Sequence, residues 1–379
     1  MRIALATSSF APHVGGVEEH VRHVAGQLQA QGHDVVVWTV ERSGGFAVRR
    51  VEDIEVWELP APLPARSLRD LSTFAIAFPR ALGCWVRAFR ATRPDVVHIH
   101  CFGPNGTYAS MLSRWRRVPV ILTSHGETLA DDAGVFDSSA LARVSLRSAL
   151  THAGAVTACS HVVLDDLVAR FGMEPGVGVV VQNGIDADEV EVGSEDIPGL
   201  PARWIAAVGR LQHVKGFDLL VDAFAAADLP AGVGLVIGGD GPERRALRAR
   251  ADALGLGDRL VLPGRLGRGQ VATLLDGAAA VAVPSRFEAF GIVALEAWRA
   301  EAPLVVTDHG GPPEFVRDGV DAIVVTPENR EAFARALRDI VEDPEGGRAL
   351  ARNGHGRLGE FSWVAVASTY ADIAARLRR

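Results

Sequence analysis

Short aliphatic runs, each followed by room for one helix, recur along this chain of 379 residues and constrain its fold more than any other feature. The first two runs cover residues 3–6 and 35–40, and between them residues 17–30 repeat their apolar side chains with helical spacing. Gly32 marks the end of that helix. A strand, a helix and a second strand in this order form a βαβ unit, whose strands run parallel. The opening therefore predicts an α/β protein built on a doubly wound parallel sheet.

The alternation of strands and helices continues and then starts again. Four further strands are expected in the first half, over residues 96–99, 120–123, 155–158 and 177–181. A second set is expected over residues 204–208, 234–237, 260–262, 280–283, 304–306 and 322–325. These sets predict two Rossmann-like domains, residues 1–182 and residues 183–363, joined near the turn dipeptide Asn183-Gly184. Because ligands bind beyond the carboxyl ends of parallel strands, a cleft between two such sheets is expected to hold two substrates.

The net charge of −7 is unevenly distributed, which bears on the partners of the chain. Residues 1–182 hold 17 basic and 17 acidic side chains, whereas residues 183–379 hold 22 and 29. Neither half has the basic excess typical of nucleic acid binding, so no nucleic acid partner is expected. Three widely spaced cysteines, Cys84, Cys101 and Cys159, predict neither a disulfide framework nor a metal knuckle, and they favour a cytoplasmic protein.

Lysine occurs once, at Lys215, among 39 basic side chains. Arginine can replace lysine in most surface positions, so a single lysine indicates a place where a compact, rotatable ammonium is needed. Lys215 precedes Gly216 in a turn that follows a predicted strand, and Arg210 lies five residues upstream. Two cations on such a turn suit a phosphate group. The alternative is that biased codon usage favours arginine throughout the chain and that Lys215 is a chance exception on a solvated loop.

Two carboxylates, Glu288 and Glu296, stand eight residues apart after another predicted strand. On one helix they would differ by about 80° around the axis and would not share a face. A loop that carries Glu288, followed by a helix that begins at Gly291 and carries Glu296, would allow both to reach one ligand. Alternatively, each acid complements a helix dipole.

In the first domain, two glycines and a histidine lie just beyond predicted strands. Gly15 and Gly16 separate the first strand from the first helix, where the missing side chains would let a ligand approach the helix amino terminus; the alternative is a tight turn. His125 lies just beyond the strand at residues 120–123, which favours a functional position over a structural one. His98 and His100, inside a predicted buried strand, are expected to be satisfied core residues.

Two other patterns are discounted. Gly239 and Gly241 follow a strand but are followed by Arg244 instead of a third glycine, so a structural turn is favoured over a nicotinamide site. Asp186 and Asp188 have the spacing of a metal-binding pair but lie in the expected interdomain connection, and Arg210 with Lys215 offers charge neutralisation without a metal. Histidine and cysteine pairs with transition-metal spacing are also missing, so no metal is expected.

Taken in order, these motifs resemble the retaining glycosyltransferases of family 4, also called glycosyl transferases group 1, which have the GT-B fold of two Rossmann-like domains facing a cleft. The front of the resemblance lies in residues 12–18, 32–35, 95–98 and 124–126. The rear lies in residues 208–216, 239–242, 288–296 and 310–314. The last helix of this family packs back on the first domain, and residues 364–379 match it.

The resemblance implies a hexosyltransferase without a cofactor, whose second domain binds a nucleoside diphosphate sugar. A uridine diphosphate sugar is the expected donor, with guanosine diphosphate as the alternative, and the first domain would bind an acceptor such as a sugar, cyclitol, lipid or natural product. The implied donor-binding residues are Gly15, Gly16, Arg210, Lys215, Glu288, Phe290, Gly291, Ile292 and Glu296. The implied catalytic residues are His125, Arg210, Lys215 and Glu288.

Within this picture, Arg210 and Lys215 hold the pyrophosphate, Glu288 accepts hydrogen bonds from the transferred sugar and Glu296 from the ribose. His125 contacts the sugar from the first domain. Two other functions stay open: a nucleotide-sugar epimerase on the same fold, and a non-catalytic subunit that binds a nucleotide sugar.

Two segments stand out against the family pattern. Glu301 occupies a position where the family commonly has glycine. Residues 63–93 carry six arginines interleaved with aromatic side chains, which permits peripheral membrane contact through the first domain, although a solvated helix face beside the acceptor pocket is favoured.

Overall fold

The computed structural model describes residues 1–12, 15–41, 45–64, 68–129, 134–187 and 195–378, without the side chains of residues 68–71. Predictions that involve His13, Val14, Arg66 or Asp188, or the side chain of Arg69, lie outside this part of the chain. The described chain divides into two compact units. The first extends to Gly184 and resumes at Trp363 for the last helix, and the second extends from Ile185 to Ser362.

The first unit contains, among the described residues, an eight-stranded sheet. Its strands are β1 Arg2–Thr7, β2 Asp34–Glu41, β3 Ala47–Val51, β4 Ile54–Pro60, β5 Val96–His100, β6 Val120–Ser124, β7 Ala155–Ala158 and β8 Val179–Val180. They lie in the order β3-β4-β2-β1-β5-β6-β7-β8. Strands β3 and β4 pair antiparallel and the other neighbours pair parallel. The carboxyl ends of β1, β5 and β6 therefore meet at one edge.

The second unit contains a six-stranded parallel sheet in the part of the chain described. Its strands are β9 Arg203–Val208, β10 Val233–Gly238, β11 Leu260–Gly264, β12 Ala280–Val283, β13 Leu304–Thr307 and β14 Ile323–Val325. They lie in the order β11-β10-β9-β12-β13-β14. The chain reverses its direction of travel across the sheet between β9 and β12, which is where open α/β sheets bind ligands.

Helices connect the strands of both units. They are α1 Gly16–Ala30, α2 Leu68–Thr92, α3 Pro104–Arg116, α4 Val135–Ser138, α5 Ala140–His152, α6 His161–Phe171, α7 Phe217–Ala226, α8 Arg244–Ala253, α9 Arg268–Asp276, α10 Ile292–Arg299, α11 Arg330–Glu342, α12 Pro344–His355 and α13 Trp363–Leu377. Each unit buries its own core. Val21 of α1 and Tyr370 of α13 cluster with Leu5 of β1, and Phe224 of α7 clusters with Leu337 of α11.

Most of the predicted strands are confirmed, because long aliphatic runs between helical patterns have few other interpretations. The prediction missed β3 and β4. Strand β3 alternates half-buried with exposed residues and includes Arg49 and Arg50, so it lacks the apolar run of a central strand. The strand expected over residues 177–181 is reduced to Val179–Val180 at the sheet edge.

The units divide two residues later than the sequence indicates. The side-chain oxygen Oδ1 of Asn183 lies 2.8 Å from Nδ1 of His20 in the first unit. A Cβ at Gly184 would lie 2.7 Å from the Trp363 ring, so the backbone is closely packed there. Trp363 itself stacks on His23 with ring centroids 4.9 Å apart. These contacts hold Asn183, Gly184 and Trp363 in the first unit.

Helix α2 contains most of the arginine-rich segment. Trp85 and Phe89 are buried, whereas Arg80, Arg87 and Arg90 are exposed. The described arginines of this helix therefore lie on a solvated face, and its aromatic side chains at Trp85 and Phe89 pack into the unit. Among the described residues, no helix is long and apolar enough to cross a membrane.

Glu301, at the position where the resemblance implies glycine, lies between α10 and β13. Its backbone has a φ of 47°, in the left-handed region that a side chain disfavours. The backbone N–H of Glu301 donates to the carbonyl oxygen of Trp298 at 3.0 Å, which closes the helix end. The chain therefore keeps a glycine-type turn with a non-glycine residue.

We expect Glu301→Gly to raise the free energy of unfolding by roughly 0.5–1 kcal/mol, because relief of the left-handed backbone outweighs the added entropy of the unfolded chain. Urea denaturation measures the change. Glu174→Gly is the matched control, since Glu174 is an exposed loop residue without left-handed backbone. A Glu301→Gly variant that is no more stable than the Glu174→Gly variant would contradict this account.

Candidate functional site

The single lysine lies beyond the carboxyl end of β9, at the centre of the second sheet. A short 3₁₀ turn, His213–Lys215, ends at Gly216, which has a φ of 64° and caps α7. A Cβ at Gly216 would lie 2.1 Å from the carbonyl oxygen of Pro284, in the loop that follows β12. The missing side chain therefore allows two loops from neighbouring strands to touch backbone to backbone.

Arg286, which the sequence did not reveal, joins these two loops. Its backbone N–H donates to the carbonyl oxygen of Val214 at 2.8 Å, and its Nη1 donates to the carbonyl oxygen of His213 at 2.8 Å. Its guanidinium also donates two hydrogen bonds of 2.7 Å to the carboxylate of Asp218 in α7. Burial alone would raise the pKa of Asp218, but the hydrogen bonds and charge of Arg286 outweigh it and lower that pKa.

The close approach of the loops brings Lys215 and Glu288 together. The ammonium Nζ of Lys215 donates to Oε2 of Glu288 at 2.7 Å, and the hydroxyl of Ser285 donates to the same oxygen at 2.9 Å. The two charged side chains are 23% and 13% exposed, so both are largely withdrawn from water and neither is sealed off. Such a pair can turn its remaining donors and acceptors toward a ligand that enters from solvent.

The backbone around Glu288 is fixed by the loop after β13. The N–H of Glu288 donates to the carbonyl oxygen of His309 at 3.3 Å, and the N–H of Gly311 donates to the carbonyl oxygen of Glu288 at 2.8 Å. His309 returns a contact, since its Nδ1 lies 3.2 Å from the carbonyl oxygen of Arg286. Loops that follow β9, β12 and β13 thus hold one carboxylate in place.

Helix α10 begins directly after the loop that carries Glu288, as the sequence predicts. Gly291 caps it with a left-handed φ of 92°, and the helix Ile292–Arg299 carries the half-buried Glu296. The first backbone N–H groups of a helix have no partner within the helix and favour negative charge. Phe290 is 2% exposed and its ring stacks on Phe315, so its side chain belongs to the core and only its backbone remains for a ligand.

Arg210 lies in the loop between β9 and the 3₁₀ turn, and its side chain is exposed. The loop after β10 supports this segment: the N–H of Leu211 donates to the carbonyl oxygen of Asp240 at 3.0 Å, and Glu243 N–H donates to the carbonyl oxygen of Leu211 at 3.0 Å. Residues 239–242 therefore form the structural turn that was expected. The side-chain oxygen of Gln212 is buried and has no hydrogen-bond partner among the described residues.

In the first unit, the site residues that the sequence predicts lie at the sheet edge formed by the carboxyl ends of β1, β5 and β6. Gly15 precedes α1 and Gly16 is its first residue. His125 follows β6, and its Nε2 lies 3.2 Å from Nδ1 of His100 in β5. His20, on α1, packs against His125 with ring centroids 4.6 Å apart. The sequence predicted that His125 lies just beyond a strand end, but its contact with His20 was not predicted.

The histidines of this cluster are held neutral by burial. Desolvation lowers the pKa of His20 to about 4, although the hydrogen bond with Asn183 opposes the shift. Burial also lowers the pKa of His98, His100 and His125 well below the usual value, and neighbouring histidines add to the effect. These rings therefore stay uncharged at neutral pH.

His98 and His100 were both expected to be satisfied core residues, and this holds for one of them. Nε2 of His98 lies 2.6 Å from the hydroxyl oxygen of Thr123. His100 is fully buried, yet its Nε2 has no hydrogen-bond partner in the described part of the chain. The prediction therefore holds only in part for His100, whose Nδ1 contacts His125 at 3.2 Å while its Nε2 is unsatisfied.

Hydrogen bonds to Glu127 hold the backbone of His125 in place. Its carboxylate accepts hydrogen bonds from the backbone N–H of Phe102 at 2.7 Å and of His125 at 2.8 Å, and from the hydroxyl of Ser124 at 2.9 Å. Burial raises the pKa of Glu127, while these three donors oppose the shift. The backbone of His125 is thereby fixed to β5 and β6.

Two family models match successive parts of the chain. The model described as Glycosyltransferase Family 4 matches residues 14–189, and the model described as Glycosyl transferases group 1 matches residues 200–357. A glycogen synthase of Mycobacterium tuberculosis is 32% identical over the whole chain and 95% of its own length. This chain is a family 4 glycosyltransferase. A D-inositol 3-phosphate glycosyltransferase of Mycolicibacterium smegmatis is 30% identical, over 92% of this chain and 83% of its own.

Solved structures confirm the fold of this family 4 glycosyltransferase. Sucrose-phosphate synthase from Thermosynechococcus elongatus superposes with a TM-score of 0.80 at 22% identity, over 99% of this chain and 98% of its own. HepE of Anabaena in complex with UDP-glucose superposes with a TM-score of 0.74 at 19% identity, over 99% of both chains. The predicted GT-B architecture of two parallel-sheet α/β domains is therefore confirmed.

We expect Arg286→Lys to lower the free energy of unfolding by about 1–2 kcal/mol, because a lysine keeps the charge but cannot make the two-pronged contact with Asp218. Chemical denaturation checks this. Arg250→Lys is the matched control, since the exposed Arg250 of α8 makes a similar two-pronged contact with Asp222 of α7. Equal losses in the two variants would show that the loops do not depend on Arg286.

Proposed function

We propose that this glycosyltransferase is a retaining hexosyltransferase that moves a sugar from a nucleoside diphosphate sugar to an acceptor hydroxyl. The ion pair of Lys215 and Glu288, beyond the carboxyl ends of β9 and β12, carries the proposal. It sets a cation suited to a phosphate beside a carboxylate suited to sugar hydroxyls, where the two loops meet. A donor joins these two chemical groups in one molecule.

Each part of the donor has a proposed partner in the second unit. Arg210 and Lys215 bind the diphosphate, and the first N–H groups of α10, at Gly291 and Ile292, donate to the phosphate or to the sugar. Glu288 accepts hydrogen bonds from hydroxyls of the transferred sugar, and Glu296 from those of the ribose. The donor contacts implied for Gly15, Gly16 and His125 in the first unit stay predictions.

The proposed reaction breaks the bond between the anomeric carbon and the phosphate oxygen. The acceptor oxygen forms the new bond on the face that the phosphate leaves, and the acceptor's proton passes to a phosphate oxygen. Negative charge grows on the departing diphosphate, so cations placed there stabilise the transition state more than the ground state. Arg210 and Lys215 supply these charges without a divalent ion.

A uridine diphosphate sugar is the proposed donor. Support comes from Anabaena HepE, which shares the fold and has been solved with UDP and with UDP-glucose. The guanosine diphosphate sugars are the alternative. For the acceptor, relatives named glycogen synthase and D-inositol 3-phosphate glycosyltransferase favour a sugar or cyclitol hydroxyl over a lipid or natural product. We place the reaction in the cytoplasm, where the three free cysteines would stay reduced.

The function is tested by product analysis. The enzyme is incubated with UDP-glucose or GDP-mannose and a panel of sugars and cyclitols, and proton NMR follows the anomeric signals. We expect an α-linked product from an α-linked donor, with turnover on the uridine diphosphate sugar. A β-linked product would contradict retention. Donor alone is the control, because an epimerised donor without acceptor would indicate an epimerase instead.

A further inference from the structure

His309, in the loop after β13, contacts the loop after β12 at two points. Its backbone carbonyl oxygen accepts the N–H of Glu288 at 3.3 Å, and its ring Nδ1 lies 3.2 Å from the carbonyl oxygen of Arg286. One contact uses the main chain and the other uses the imidazole. We infer, on the basis of the proposed function, that His309 is a positioning residue: its protonated ring fixes the loop that carries Glu288.

Both ring nitrogens of His309 face oxygen atoms that accept hydrogen bonds. Nδ1 faces the carbonyl oxygen of Arg286 at 3.2 Å and, at 3.7 Å, Oε2 of Glu328 in the loop after β14. Nε2 lies 3.2 Å from Oδ1 of Asp308. A carbonyl oxygen and an ionised carboxylate have no proton to donate. A neutral imidazole has one N–H and one lone pair, so it would turn its lone pair toward one of these oxygens.

The imidazolium form removes this conflict, because it carries a proton on each nitrogen. Nδ1–H then donates to the carbonyl oxygen of Arg286, and Nε2–H faces the carboxylate of Asp308. When one proton is lost, we expect it to leave Nε2, since the carbonyl oxygen needs the proton on Nδ1. The bond between the loops persists in the neutral form but loses the charge that strengthens it.

The charged groups around the ring attract its protonated form. Asp308 and Glu328 are both carboxylates, and the hydroxyl of Thr326 holds Asp308 in place by a bond of 2.5 Å to its other oxygen. The cation of the facing loop is directed elsewhere, because the guanidinium of Arg286 donates two hydrogen bonds to Asp218. The side chain of His309 is 37% exposed, so its proton can exchange with solvent.

A shift of the loop after β13 passes directly to the groups proposed to bind the donor. Gly310 has a φ of 97°, and a Cβ there would lie 2.0 Å from the carbonyl oxygen of Glu288, so the two loops touch backbone to backbone. The carboxylate of Glu288 accepts from Lys215 at 2.7 Å. A misplacement of about 1 Å can cost roughly 10²-fold in rate. His309 can therefore control turnover without touching the donor.

The test compares kcat of the wild type with that of His309→Ala and His309→Asn, using a donor and acceptor that the wild type turns over. Asparagine places an amide N–H near the position of Nδ1, so it keeps the bond to Arg286 but cannot titrate. We expect His309→Ala to lose about tenfold in kcat and His309→Asn to retain most of it. His355→Ala is the matched control, because Nδ1 of His355 lies 3.1 Å from the carbonyl oxygen of Trp298 on the remote α12, and it should turn over normally.

The pH profile separates positioning by a charged ring from a merely structural role. The ratio of wild-type kcat to that of His309→Asn cancels the titration of groups that both proteins share. Since ion pairs of partly exposed groups contribute modestly, we expect this ratio to fall by about three- to fivefold as pH rises through the range in which histidines lose their proton. A ratio that does not change with pH, or equal losses in His309→Ala and His309→Asn, would overturn the proposal.

Nitrogen NMR of the histidine rings gives a readout without any donor, with His309→Asn to assign the signal. Two protonated nitrogens are expected at the acidic end of the titration, and a neutral ring with its proton on Nδ1 at the alkaline end. A neutral ring with its proton on Nε2 would contradict the inferred contact with Arg286. Because this spectrum does not depend on transfer, a failure of the proposed function can be told apart from a failure of the role of His309.

Discussion

The contact between the loop after β9 and the loop after β12 is the constraint on which the second unit's chemistry depends. Gly216 approaches the carbonyl oxygen of Pro284 so closely that a Cβ would lie 2.1 Å from it. At that separation Arg286 donates to two carbonyl oxygens of the facing turn, and Lys215 and Glu288 stand 2.7 Å apart. The sheet brings the strand ends together, and the glycine allows the loops to close.

This arrangement explains why the one lysine is not another arginine. The side chain of Lys215 is 23% exposed, so its ammonium can contact both the carboxylate of Glu288 and a ligand that enters from solvent. The hydroxyl of Ser285 donates to the same oxygen of Glu288. A planar guanidinium is wider and would have to displace one of these groups. Arg210, by contrast, lies on an exposed loop where a long, forked side chain can follow a phosphate. The two cations therefore have different surroundings and are not interchangeable.

Much of the fold could be predicted from the sequence, because aliphatic runs that alternate with helical patterns allow few architectures. The same reasoning placed Glu288 in a loop and Glu296 on the following helix, since eight residues do not return to the same helix face. The β3–β4 hairpin was not predicted, because an exposed strand with two arginines lacks an apolar run. The role of Arg286 was not predicted either, since its partner Asp218 lies 68 residues away and no local pattern joins them. The cluster of His20, His100 and His125 was not predicted for the same reason: its members come from three elements and have no motif spacing.

The central claim is that Lys215 acts on the donor diphosphate as a compact cation. The most direct measurement is kcat of Lys215→Arg with the donor that the wild type uses, beside Arg245→Lys as the control exchange at an exposed position of the same unit. Removal of one well-placed hydrogen-bond donor typically costs about 10²–10³ in rate, and we expect a loss of that order with little loss of folding stability. The control should turn over normally. Near-normal turnover of Lys215→Arg would contradict the account and leave codon bias as the reason for the lysine.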